Sequence, residues 1–333
     1  MRKFSIILPV RNGGEYVKQC IYSILSQSVQ DFNLEILENC STDGTLEWIK
    51  SLNDDRVRIY PSTEPLSIEA NWARIVSIEK NEFMTFLGHD DIIDKNFLEE
   101  MDTLIKKHPN ASLYQAHFRY INTNGQILNA CKPMDEVQHS EEFLGFFLSG
   151  MFDLSIGQMV RSTDFDSIGG IPPYPNLLFA DLQLWMELVR KSYRACTRSE
   201  CCSYRIHQHS TTNSSSKLKY YYAFNRMMDF FLELKKEEKY SNIFMKYGLN
   251  FIKPYCKSIP HHLLQIPKHQ RNSITVSKCI FDLKKKIDIL IPENDFDPTN
   301  DFYIRIGILI DSHIIFQVLF LFFKKLYPKP LLK

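Results

Sequence analysis

The chain has 333 residues, 44% hydrophobic and 24% charged, a composition that supports a folded core large enough for two domains and excludes a disordered chain. Its net charge of +1, with no basic block in the first half, offers no electrostatic footprint for nucleic acid. Eight cysteines without a CxxC pair set aside a zinc ribbon and a disulfide framework, leaving buried thiols in a reducing cytoplasm.

Met1-Arg2-Lys3-Phe4 leads directly into an apolar stretch, so no signal peptide is expected. Phe4 to Leu8 is predicted as a buried strand that Pro9 ends, since proline cannot donate to a sheet ladder. Arg11-Asn12-Gly13-Gly14 turns into a helix that places Val17, Cys20, Ile21, Ile24 and Leu25 on one face. That turn is not GxGxxG and no P-loop lysine follows, which disfavours dinucleotide and Walker-type sites. Asp31 to Glu38 is predicted as a second strand, Ser41 to Thr45 as the cap of a helix burying Leu46 and Ile49, and Val57 to Tyr60 as a third strand. A helix through Ile68, Trp72, Ile75 and Val76 precedes a fourth strand from Phe83. Strands alternating with helices predict an α/β fold on a parallel sheet, with ligands gathering at Pro9 to Asn12, Glu38 to Asp43 and Gly88 to Asp91.

Gly88-His89-Asp90-Asp91 sets two carboxylates side by side. Such a pair is tolerable when solvated, or when a divalent cation that shares ligands with a diphosphate neutralises it. An acidic loop capping the next helix is the alternative, and His89 is expected to face solvent. Asp94 to Lys107 reads as a helix, Leu113 to Tyr120 as a strand, and Asn124-Gly125 as a hairpin turn back to Ile127-Leu128. The Phe- and Leu-rich Gly145 to Gly150 either flanks an acceptor cleft or fills core.

Four of these segments, Ser5 to Asn12, Ser23 to Gln27, Glu35 to Thr45 and Phe86 to Asp91, resemble in order and spacing the successive motifs of the family 2 glycosyltransferases. Ser167 to Pro172, Phe179 to Leu188 and Ser203 to Ser210 resemble the family's Gly-Gly turn, its acidic helix start and its Tyr-Arg-x-His-x-x-Ser ending. The resemblance implies a GT-A fold over residues 1–216, a Rossmann-like, mainly parallel central sheet flanked by helices. It implies inverting transfer of a sugar from a nucleotide-sugar donor, expected to be a UDP-sugar, to a glycan or lipid-linked glycan in bacterial surface polysaccharide synthesis of the O-antigen kind. It further implies donor contacts from Pro9, Val10, Asn12, Glu38, Asn39, Asp90, Asp91 and Arg205, a Mg2+ or Mn2+ ion held through Asp90 and His207, and Asp181 as the general base. On the residues alone, Asp181 could instead cap its helix and His207 could be structural. The chain departs from the family pattern at Gly88 and Ala180, where acids are usual, at Glu38 for aspartate and at Cys40 for glycine. Two other readings stay open. A sugar nucleotidyltransferase would want a longer, basic, glycine-rich loop than Arg11 to Gly14, and a catalytically impaired glycan-binding scaffold is suggested by Gly88 and Ala180.

Thr211 to Ser216 reads as a mobile polar loop. Residues 217–333 read as a helical appendage: Lys217 to Tyr247, then Ile274 to Leu290, then Phe302 to Tyr327. The last stretch is interrupted by Asp311, His313 and Gln317, so a spanning helix is disfavoured. With Lys324, Lys325, Lys329 and Lys333 behind it, it either lies on the cytoplasmic face of the inner membrane, packs into its own core, or forms a homo-oligomer contact.

Overall fold

The computed structural model describes residues 2–150, 156–207 and 217–326. The polar stretch 211–216, Ser210 of the expected motif, Lys329 and Lys333 lie outside the described residues. The chain divides into two compact units, one of residues 1–143 and 151–214, the other of 144–150 and 215–333.

In the first unit β1 (Phe4–Val10), β2 (Phe32–Glu38), β3 (Val57–Pro61) and β4 (Phe83–Phe86) pair in parallel in the order β3-β2-β1-β4. All seven positions of β1 and of β2 are buried; β1 reads as a nearly continuous apolar run, whereas β2 also buries Asn33, Glu35 and Glu38. Helices α1 (Gly14–Leu25), α2 (Thr45–Lys50) and α3 (Ile68–Ala73) make the crossovers, and α1 buries Val17, Cys20, Ile21 and Ile24 as its periodicity predicts.

Pro9 does not end β1. The strand continues through Val10 because pairing with β4 stops at Ile7, whose carbonyl accepts from Leu87, while pairing with β2 runs on to Glu38. In a parallel strand Pro9 points to the same side as Ile7, so its missing N–H faces the side that β4 has already left.

Beyond β4 come β5 (Ile92–Ile93), α4 (Phe97–Lys107), β6 (Leu113–Ile121), β7 (Ile127–Ala130), β8 (Val137–Gln138) and α5 (Ser140–Leu148). They are followed by β9 (Gln158–Arg161), α6 (Ser162–Ser167), α7 (Ala180–Lys191) and β10 (Arg194–Arg205). The predicted hairpin is present as β6 and β7. The sheet turns mixed here: β9 inserts antiparallel between β4 and β6, and β10 pairs parallel with β6. Two antiparallel steps restore direction, so β1, β2, β4, β6 and β10 all end at one edge. Neither β9 nor β10 is evident from sequence, since β9 is only four residues long and register shifts at Thr197 to Cys202 break the period of two in β10. Helix α4 starts at Phe97 rather than Asp94, whose carboxylate is held by Arg119 of β6 at 2.5 Å.

The second unit is helical. Its helices are α8 (Lys217–Lys235), α9 (Glu238–Ile243), α10 (Leu249–Leu264), α11 (Val276–Leu290), α12 (Phe302–Ser312) and α13 (Ile314–Leu326), with a π turn at Phe244–Gly248. They enclose Met227, Phe231, Phe244, Ile252, Leu263 and Ile280, all fully buried. The stretch Gly145 to Gly150 contributes core here, with Phe147 against the Phe251 ring at 5.0 Å. The expected single helix from Lys217 to Tyr247 is divided after Lys235, and that from Phe302 to Tyr327 bends by 113° at His313. Helix α10 carries Pro254 and Pro260 in its interior, which is why a propensity reading passes over it. Among the described residues no single helix is long and apolar enough to cross a membrane.

Candidate active site

At the shared edge the loops after β1 and β2 are laced together. Asn12 donates from its backbone to Ser41 Oγ at 2.9 Å and accepts from Thr42 N at 2.8 Å, while Gly14 N donates to Asp43 Oδ2 at 3.1 Å. Asn12 and Cys40 both take left-handed backbone, φ 52° and 50°. That conformation explains why glycine is the easy residue at position 40. Glu38 is fully buried, and its two carboxylate oxygens accept from Cys40 N at 3.2 Å and Ser41 N at 2.6 Å. Through these bonds the Glu38 carboxylate shapes the loop. Asn39 is likewise buried and bridges to the backbone of Leu66 at 2.7 and 3.0 Å. Pro9 and Val10 are buried strand residues, and the Val10 carbonyl accepts from Asn39 N at 2.9 Å.

The second cluster sits after β4 and β10. His207 Nε2 and Asp90 Oδ2 meet at 2.6 Å, joining residues that the sequence holds 117 apart. Beneath them Asp91 is buried and accepts from Arg205 N at 2.9 Å. Burial, and then the neighbouring charge of Asp90, push the Asp91 carboxyl well above its usual range. Arg205, read from sequence as a donor contact, is also buried. Its guanidinium donates to the carbonyls of Asp90 at 2.8 Å and of Asn122 and Thr123 at 3.2 Å, and to Gln19 Oε1 at 2.8 Å. A fork of donors on a buried stem ties the acidic turn to α1 and to the β6–β7 turn. The Tyr16 ring completes the arrangement, 4.6 Å from the Arg205 guanidinium and 5.5 Å from the His207 ring.

Gly88 fits this cluster closely. A Cβ at that position would lie 2.7 Å from an Asp90 oxygen and 2.9 Å from an Asp91 oxygen, so the space an aspartate would need is taken by the two carboxylates that follow. His89 is half-buried and not solvent-facing. It hydrogen-bonds the Pro9 carbonyl, and burial lowers its pKa, favouring the neutral ring. Among the described residues no three His, Cys, Asp or Glu converge as a ready-made metal site. Asp90 and His207, each partly exposed, nevertheless supply an oxygen and a nitrogen at one point. That donor set fits a divalent ion that takes its remaining ligands from phosphate and water.

Asp181 lies in the first turn of α7, exposed, with its Oδ1 accepting from Leu182 N at 2.8 Å. One turn on, Trp185 stacks on Phe86 at 5.2 Å and 11°, so α7 is anchored to the end of β4 just ahead of Gly88. Left-handed residues crowd the approach to Asp181: Asn176, Leu177 and Phe179 have φ of 53°, 57° and 64°. For Leu and Phe such backbone is strained, and strain of that kind gathers at functional sites. Glu187, on the same helix, is paired with Arg190 at 2.7 Å. Sequence reasoning missed Tyr16, Gln19 and the Phe86–Trp185 stack, and it placed His89 in solvent. The i, i+3 spacing of Tyr16 and Gln19 on the face opposite the α1 core was the available signal for two of them.

Residues 5–165 match the family described as Glycosyl transferase family 2. Over 217 residues the chain is 24% identical to TuaG of Bacillus subtilis (strain 168), a glycosyltransferase whose name places it in teichuronic acid biosynthesis; the match takes in 64% of this chain and 82% of the relative. Among solved structures it is similar to S. aureus TarS 1-349 in complex with UDP-GlcNAc, with TM-score 0.62, 15% identity, and 86% of this chain and 89% of that one covered. It is also similar to the mannosyltransferase PcManGT from Pyrobaculum calidifontis in complex with GDP-Man and Mn2+, with TM-score 0.54, 11% identity, and 99% and 88% covered. At such identities the structural likenesses speak for the fold.

Proposed function

We infer, from the match of residues 5–165 to the family described as Glycosyl transferase family 2, that the chain moves a sugar from a UDP-sugar to a hydroxyl of a glycan or lipid-linked glycan. Synthesis of a bacterial surface polysaccharide is the setting that the kinship with TuaG supports. The observation that carries the reading is the Asp90–His207 pair, 2.6 Å apart, at the sheet edge where the β1 and β2 loops also end. A diphosphate lying along that edge would meet the His207 ring, while Arg205 keeps the acidic turn rigid from below.

The acceptor hydroxyl attacks the anomeric carbon from the face opposite the diphosphate, and Asp181 takes its proton as the new glycosidic bond forms and the nucleoside diphosphate leaves with inversion. An exposed carboxylate at a helix start is accessible to an incoming sugar, and α7 fixes where it stands. Asp90 and His207 would hold a Mg2+ or Mn2+ ion, which when bound supplies charge neutralisation of the departing diphosphate.

The test is thermal unfolding of the full chain against UDP-, GDP- and dTDP-sugars, each with Mn2+ and with chelator. A UDP-sugar at a hundred times its Kd should add about 2.7 kcal/mol of stability. Preference for another nucleotide would revise the donor, equal effect in chelator would remove the ion, and no effect from any nucleotide sugar would leave the scaffold reading.

A further inference from the structure

In α12 and α13 the usual polarity of a surface helix is reversed. The residues they turn inward include Asp311 and Gln317, both buried. Asp311 pairs with the fully buried Arg271 at 2.6 Å and accepts from Val276 N at 2.7 Å; Gln317 donates to the Ile266 carbonyl at 2.9 Å. Outward, Ile314, Ile315, Val318, Leu319, Phe322 and Phe323 of α13 are between 54% and 69% exposed. Buried polar partners hold the helices in this orientation, since turning α12 over would take Asp311 from Arg271 and leave a buried guanidinium without its counter-charge. A contiguous exposed apolar face of this kind marks a protein or membrane interaction site.

We propose that α12 and α13 form a membrane-surface anchor that lays its apolar face among the acyl chains of an anionic bilayer while Lys217, Lys324 and Lys325 engage the headgroups. The helices have 11 and 13 residues and meet at 113°, geometry suited to lying in the interface, because a span takes about 20 apolar residues. The charges choose between lipid and a second copy of the chain. Lys324 and Lys325 close α13, and burial, then the neighbouring charge of Lys324, lower the pKa of Lys217. A two-fold pairing through this face would bring these lysines towards their copies, whereas acidic headgroups complement them.

The experiment is co-sedimentation of the full chain with phosphatidylcholine vesicles made with and without phosphatidylglycerol, free of any glycolipid so that an acceptor plays no part. Binding is expected with phosphatidylglycerol and is expected to weaken with added salt, a result that needs no variant. Lys324→Gln with Lys325→Gln should weaken it roughly 25-fold, at about fivefold per lysine. Leu319→Glu with Phe322→Glu should abolish it; both side chains are exposed, so an unchanged urea midpoint is expected alongside. Absence of binding to either vesicle, or equal binding to both, overturns the proposal. So does a dimer seen by light scattering that the Leu319→Glu, Phe322→Glu chain fails to form.

Discussion

Asp181 carries the proposed proton transfer, and Arg205 holds the acidic turn in place. Asp181→Asn keeps the size of the side chain and the acceptor for Leu182 N, so a purely capping residue would leave turnover nearly intact. As the general base, its loss should lower transfer by two to four orders of magnitude, about 3–5 kcal/mol, with UDP-sugar affinity by calorimetry unchanged. Intact binding with intact transfer would move the search to another carboxylate, and Glu187 would first have to leave Arg190. Arg205 acts through structure. Arg205→Ala strips donors from three carbonyls and from Gln19, and should cost roughly 2–4 kcal/mol in urea unfolding. Arg205→Lys should recover little of this, because an ammonium cannot reproduce the planar fork. A midpoint unchanged in both variants would show that the guanidinium is not seated as described.

Elements in this protein are fixed by a few close approaches. Gly307 of α12 lies against Pro260 of α10, and a Cβ added there would sit 2.4 Å from the proline Cβ. Helix propensity alone favours Gly307→Ala by about 1 kcal/mol. The rigid proline ring cannot yield by rotation, so overpacking should reverse the sign and leave a net loss of about 1–2 kcal/mol in chemical denaturation. A gain in stability would mean that α12 rides higher on α10. The same logic holds at Gly170, where φ is 80° and a Cβ would meet Val76 at 2.3 Å, so the Gly-Gly turn before α7 answers both to conformation and to packing.

Across the whole molecule the cysteines report on both units at once. Seven of the eight are buried and only Cys40 is partly accessible. Burial pushes Cys196 and Cys279 up to about 11 and Cys256 up to about 12, and it raises Cys20, Cys131 and Cys202. Thiolate is the reactive form, so at pH 8 a thiol reagent should titrate at most one cysteine quickly in the native chain and all eight in urea. Rapid reaction of several thiols without denaturant would show that one unit is open. The scattered spacing of the cysteines already argued for inert buried thiols, and the packing of both units agrees.

What the sequence determined by itself is local. Apolar runs of strand length, helical periodicity and the turn residues at Asn12, Asp43 and Asn124-Gly125 act over neighbouring residues, so β1 to β4, their crossover helices, the hairpin and the site loops were legible. Tertiary structure decided what depends on distant partners. His207 meets Asp90 across 117 residues and Arg205 meets Gln19 across 186, and nothing in either segment states which carboxylate will be covered and which will be reached. Glu38 and Arg205 also bind buried backbone groups that neither segment announces, because an unpaired buried donor or acceptor is costly. The reversed face of α12 and α13 follows the same reasoning. Periodicity reveals that a helix has two faces, and only the partners waiting at Arg271, Val276 and Ile266 settle which one turns inward.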